Sequence, residues 1–276
     1  MNYKSLLLRS ISGIIYCGLI IGCVFWGIYP FSFMAMAFGI LAVLEFEKIC
    51  KGISENSIPG VILDCAGISF LCFSWLWYPF LGWLITYIFR MILELYLRNN
   101  RPIRCLSVSL MSQLYIGVPL AIMTFIGNYI GLHFVLVIFL MIWINDTGAF
   151  VVGSLLGKHR LFERISPKKS WEGFFGGLLF TILAAWLFAI KGSHFWNVKW
   201  NVITWLILGG LVTIFSTWGD LIESLIKRSL QIKDTGHILP GHGGILDRID
   251  SLLLVMPAVF IFLLVYAALT VDFNFI

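Results

Sequence analysis

Residues 132–146 read LHFVLVIFLMIWIND, a run in which His133 is the only strongly polar side chain before Asn145 and Asp146 close it. A helix with one wet face would need more polar residues than this. Comparable apolar stretches lie at about 10–28, 31–47, 59–77, 80–97, 107–126, 132–145, 173–190, 203–219 and 251–270. Most approach the roughly 20 residues that an α-helix needs to cross about 30 Å of hydrocarbon. Backbone N–H and C=O groups at that depth must be satisfied inside the segment, which selects helices. The whole chain agrees: of 276 residues, 60% are hydrophobic and 12% charged, where an ordinary soluble domain has about a quarter charged. The expected fold is all-α, a polytopic transmembrane helical bundle of about nine spans.

The dipeptides Tyr29-Pro30 and Tyr78-Pro79 interrupt long apolar stretches, and Gly127-Asn128 offers a further turn. Lys4 and Arg9 precede the first apolar run as in a signal peptide, but the run continues without a small-residue cleavage site and reads as a retained span. Cys17, Cys23, Cys50, Cys65, Cys72 and Cys105 contain no C-x-x-C pair and read as small core hydrophobes. With the N-terminus inside, all Lys and Arg except Arg90, Lys191 and Lys199 fall on the cytoplasmic side, as the positive-inside bias requires. Arg90 sits within a span, and Glu94 one turn later shares its face. The expected location is the cell (inner) membrane, multi-pass, with an active site on the cytoplasmic face.

Polar chemistry is unevenly distributed. Asp146, Glu163, Glu172, Asp220, Glu223, Asp234, Asp247 and Asp250 are eight of the fourteen acidic residues, and all are expected in or beside cytoplasmic loops. The chain therefore divides into 1–130, N-terminal transmembrane scaffold helices, and 131–276, a C-terminal transmembrane catalytic region with cytoplasmic-face loops. No inverted repeat of the transporter kind is visible.

Asp220, Glu223 and Lys227 are three and four residues apart, so a helix continuing from the eighth span would align them. Asp247 and Asp250 repeat the three-residue spacing at the start of the ninth helix. Between them lies Pro240-Gly241-His242-Gly243-Gly244, whose glycines permit positive φ and close approach of a ligand. Mg²⁺ takes oxygen ligands, one or two carboxylates with phosphates and water. Asp220, Asp247 and Asp250 suit that task, with Asp146 and Glu223 as further candidates. Two carboxylates at a helix start also favour the helix dipole, and positive-inside bias also accounts for loop cations. Neither requires carboxylates mixed with Lys227, Arg228, Lys233 and Arg248, and a polyphosphate with its metal fits the mixture. His242 is a candidate for phosphate contact, although a histidine beside glycines also serves as a structural hydrogen-bonder.

A second cluster runs from Asn145-Asp146-Thr147-Gly148-Ala149 to Ser166-Pro167-Lys168-Lys169-Ser170-Trp171-Glu172-Gly173. Ser166-Pro167 is expected to start a turn. Lys168, Lys169 and Ser170 would then offer donors at a helix start whose free N–H groups suit an anion. The plainer account is a basic interfacial loop anchored by Trp171.

The run S-x-x-K-R-x4-K-D-x5-P-G-H-G-G-x2-D-R-x-D, from Ser224 to Asp250, has thirteen fixed positions across 27 residues. It resembles the signature of the phosphatidate cytidylyltransferase (CDP-diacylglycerol synthase) family, and the resemblance covers about 145–260. Ser154 and Phe150 depart from it, where relatives often carry a basic residue and Tyr. The resemblance implies that CTP and phosphatidate give CDP-diacylglycerol and pyrophosphate, with Mg²⁺, in one or two ions, as cofactor. It places Asp220, Asp247, Asp250, Lys227 and Arg248 in catalysis. Lys168, Lys169, Ser170, Arg228, Lys233, Gly241, His242, Gly243 and Gly244 would hold phosphate. The partners implied are CTP, phosphatidate and the bilayer, with no nucleic acid; a homodimer is among the assemblies it allows. A CTP-dependent transferase acting on another lipid phosphate or lipid alcohol would keep the same site. An ion-coupled transporter would instead need charges along the midplane, and a pure scaffold leaves the mixed-charge loop without a purpose.

Overall fold

The computed structural model describes residues 3–54, 57–97, 99–191, 198, 200–236 and 243–270. Ten α-helices are found among them: α1 Tyr3–Trp26, α2 Ile28–Ile49, α3 Ile58–Cys72, α4 Trp77–Tyr96, α5 Pro102–Ser112, α6 Val118–Tyr129, α7 Leu132–Leu156, α8 Trp171–Lys191, α9 Val202–Ser229 and α10 Leu246–Thr270. A π-helical turn, Gln113–Gly117, joins α5 to α6, so Pro102–Tyr129 is one rod. Pro119 has no N–H and crowds the carbonyl four residues back, and the ladder widens just ahead of it. Seven helices are long and apolar enough to cross a membrane, and Ile11–Trp26 and Ile58–Cys72 are apolar but shorter. The bundle is the expected one; seven of the nine expected spans meet the length criterion.

Several expected boundaries shift. The first two breaks fall at Gly27 (φ 123°) and at 73–76, and Pro30 and Pro79 occupy the first turns of α2 and α4. Those turns contain N–H groups with no intrahelical partner, so proline is tolerated there. The turn expected at Gly127-Asn128 lies at Ile130-Gly131, where Gly131 takes φ 134°. Helix α7 continues ten residues beyond Asp146, so Asn145-Asp146-Thr147-Gly148-Ala149 is helical rather than part of a loop. Ser166–Ser170 forms a strand, β2, antiparallel to β1, Arg160–Phe162. This short hairpin replaces the expected turn and is the one departure from an all-α chain among the described residues.

The chain divides into two compact units, residues 1–132 with 225–250, and 133–224 with 251–276. In the first, α3 packs against α2 and α4, and Phe31, Phe46, Ile68, Ile116 and Leu120 are fully buried. Buried among them is an ionic cluster. Arg90 binds Glu94 at 2.7 Å, as its spacing predicts, and its Nε lies 3.6 Å from Asp64 of α3. Ser109 donates to Asp64, and Gln113 Nε2 to the Asp64 carbonyl at 2.9 Å. Asp64 is the partner that spacing along one helix does not reveal. In the second unit Trp200 contacts Phe134, Trp205, Phe262 and Tyr266, a cluster of rings that ties α7, α9 and α10 together. All six cysteines are free.

Candidate functional site

The second unit contains a cavity of about 700 Å³. Its walls are α7 (Asn145, Asp146, Phe150), the hairpin (Arg160, Lys168, Lys169, Ser170), the start of α8 (Gly173, Phe174) and α9 (Thr217, Asp220). Close packing of α7 on α8 makes this possible: a Cβ on Gly153 would lie 3.3 Å from Gly173 Cα, and Gly177 faces Asn145. Lys169 Nζ lies 2.6 Å from Asp220 and donates to the Thr217 carbonyl at 3.3 Å. Asp146 interacts electrostatically with both Asp220 and Lys169. Asn145 Nδ2 donates to Asp146 and to Ser216 Oγ, each at 3.4 Å. Glu223, buried one turn after Asp220, brings a carboxylate oxygen within 4.8 Å of an Asp220 oxygen. Ser224 Oγ also donates to Asp220, at 3.3 Å.

The donor set of Asp146, Asp220 and Glu223 consists only of carboxylate oxygens, which fits a hard cation such as Mg²⁺. Lys169 supplies a positive charge in the same wall, and exposed Lys168 and Arg160 line the cavity beside it. The carboxylates of Asp146 and Asp220 and the cations of Lys168, Lys169 and Arg160 thus share one cavity.

The start of α8 does not present the free N–H groups expected. Trp171 N donates to the His159 carbonyl at 2.9 Å, and Gly173 N to Ser170 Oγ at 3.1 Å. Ser170 therefore caps the helix while lining the cavity. Glu172 turns back to accept Lys158 N and His159 N at 3.1 and 3.2 Å, with the His159 ring at 2.6 Å. Hairpin and helix close on one another, and that closure consumes the donors.

In the first unit Asp247 holds Thr235 and Gly244 at the start of α10. Its Oδ1 accepts Lys227 Nζ at 2.7 Å, and its Oδ2 accepts Gly244 N at 2.8 Å, Thr235 Oγ1 at 2.9 Å and Thr235 N at 3.1 Å. Gly243 takes φ +83°, and a Cβ there would stand 2.6 Å from Asp247 Oδ2, so only glycine fits. Both oxygens of Asp247, expected as a metal ligand, accept hydrogen bonds, Oδ1 from Lys227 and Oδ2 from Thr235 and Gly244. Lys227, expected at phosphate or in catalysis, is its partner. Asp250 follows one turn later on α10 and Arg248 is exposed there. Arg228 donates to the Ile232 carbonyl at 3.1 Å, and Lys233 is exposed. Gly241 and His242 lie outside the described residues.

Three side chains at these places have weaker signals in the sequence. Arg160 belongs to the basic run Lys158-His159-Arg160, a visible signal. The contact of Asn145 to Ser216 spans 71 positions, beyond what spacing reveals. Glu45, a carboxylate in the apolar stretch Ala42–Phe46, is buried against the start of α10; an ionisable group in a span is itself a signal.

Comparison with known proteins gives a consistent result. The profile of the cytidylyltransferase family matches residues 7–266. Phosphatidate cytidylyltransferase of Staphylococcus aureus (strain COL) is 43% identical over 136 residues, 49% of this chain and 50% of that protein. In that match the chain spans about half the relative's length. The proteins of the same name from Staphylococcus saprophyticus and Staphylococcus epidermidis are 38% and 37% identical over 218 and 239 residues. These alignments cover 75% and 84% of this chain, and 80% and 89% of the two relatives.

Proposed function

We propose, from the premise that this chain belongs to the cytidylyltransferase family, that it is a phosphatidate cytidylyltransferase of phospholipid biosynthesis. It converts CTP and phosphatidate to CDP-diacylglycerol and pyrophosphate. The observation that carries this reading is the cavity in which Asp146 and Asp220 stand beside Lys168, Lys169 and Arg160. An oxygen of the phosphatidate phosphate attacks the α-phosphorus of CTP, a new P–O bond forms, and the bond to pyrophosphate breaks. The nucleophile is already anionic at neutral pH, so no strong base is required. The demand is to bring two anions together and to align attack with departure.

The chain's own residues meet that demand in distinct ways. Lys169, fixed by Asp220 and the Thr217 carbonyl, presents a positioned charge. Lys168 and Arg160 neutralise phosphate oxygens from the hairpin, and Arg160 can do so bidentately. Asn145 and Ser216 orient Asp146. Asp146, Asp220 and Glu223 would hold Mg²⁺, with Asp250 as a further ligand on the strength of its motif. When bound, one or two Mg²⁺ ions supply charge neutralisation and alignment of phosphate oxygens. Asp247 and Lys227 hold Thr235 and Gly244 beside the start of α10. The site faces the cytoplasm in this proposal, supported by the distribution of Lys and Arg.

Purified protein in detergent micelles, given radiolabelled CTP with phosphatidate or with isoprenoid phosphates and alcohols, tests the proposal. Mg²⁺-dependent CDP-diacylglycerol is the expected product. Its absence, with label transferred to an isoprenoid lipid, would replace the acceptor. Turnover in micelles, where no gradient exists, would exclude a transporter.

A further inference from the structure

We infer that Glu45, in the N-terminal helices, is a positioning residue for the Asp247–Asp250 motif: it holds the loop end at the start of α10 and thereby sets where those carboxylates stand. The catalytic part of this inference rests on the function proposed above.

Glu45 lies near the end of α2 and is 4% exposed. Its Oε1 accepts Ile245 N at 3.0 Å and its Oε2 accepts Leu246 N at 2.9 Å. Leu246 is the first residue of α10, so these are donors that the helix cannot satisfy itself. A carboxylate there also meets the positive end of the helix dipole. The capping role usually filled by a side chain just before the helix is supplied from 200 positions away.

Thr235 links this cap to the motif. Its Oγ1 lies 2.9 Å from Asp247 Oδ2 and 3.4 Å from Glu45 Oε2, so one hydroxyl stands between two carboxylates. The loop is moulded on Glu45 from both sides, because a Cβ on Gly236 or on Gly244 would collide with its carboxylate. Only side chains without a Cβ fit at these two positions while Glu45 is in place. A carboxylate with this many bonds to one loop end fixes a geometry, and a misplacement of about 1 Å at a reacting centre can cost about a hundredfold in rate.

Three variants test the inference: Glu45→Gln, which keeps shape and one acceptor oxygen, Glu45→Asp, which keeps charge, and Glu45→Ala. Amide hydrogen exchange in peptides covering Gly243–Asp250 reads the cap without reference to activity. Melting temperature, kcat and KM for CTP are measured on the same micellar preparations. For Glu45→Gln we expect faster exchange at Ile245 and Leu246, a melting temperature near wild type and a kcat lowered about tenfold or more, with KM much less affected. Glu45→Asp should recover part of the kcat, and Glu45→Ala should lose most. Wild-type exchange in Glu45→Gln, or a lowered melting temperature with unchanged kcat per folded molecule, would overturn the positioning role. If the wild-type protein makes no CDP-diacylglycerol, the proposed function fails, while the exchange measurement still decides whether Glu45 holds the loop.

Discussion

Two groups of charged residues, one in each unit, use the same chemistry to different ends. Around Asp247 every carboxylate oxygen meets donors from its own loop or from Lys227. Around Asp220 the carboxylates and Lys169 instead form the wall of a cavity large enough for a ligand. Residues expected to serve one site thus stand in two different settings, a cavity wall and a loop end. Spacing along the chain does not separate them; whether the carboxylate lines the cavity does.

Substitutions can break or sharpen that contrast. Asp220→Asn should cut turnover about a thousandfold while the protein melts near the wild-type temperature, because the group faces the cavity; Asp250→Asn should follow it. Steady-state kinetics beside thermal unfolding checks both. Arg90→Leu, in the ionic cluster of α3 and α4, should do the reverse. It leaves Asp64 and Glu94 buried without their cation and should cost about 3–5 kcal/mol of stability, read from denaturing-detergent titration, with turnover per folded molecule retained. Asp247→Asn should fall between, losing about 1–3 kcal/mol through weakened loop bonds and lowering turnover as well. If it lowered turnover alone, Asp247 would belong with Asp220. Lys168→Ala, on the exposed strand, should have the smallest effect, raising KM for CTP or phosphatidate up to about tenfold with little change in kcat.

The apolar runs made the helices legible, because the bilayer length leaves few alternatives for a segment such as 132–144. Their ends were less legible. Helix α7 continues past Asp146 because Asn145 and Asp146 find partners in Ser216 and Lys169, and polar residues so partnered need not end a helix. The hairpin escaped notice since a three-residue strand has almost no periodicity to read. At the site, Asp220, Asp146, Lys168 and Lys169 were recognisable by type, but the division of labour with Asp247 was not. It depends on bonds from Thr235 and Gly244, and Glu45 acts across 200 positions.

The cluster at Arg90 also bears on how the chain enters the bilayer during synthesis. Arg90 and Glu94 are one turn apart on α4, so that helix carries its own counter-ion and can leave the insertion machinery with its charge already balanced. Asp64 has no such partner within α3; its cation is on the next helix, beyond the short link at 73–76. Helix α3 is also the shorter of the two, and the charge of Asp64 is balanced only where α4 packs beside it. In the folded unit α3 and α4 pack together and bury one shared ionic cluster as a pair.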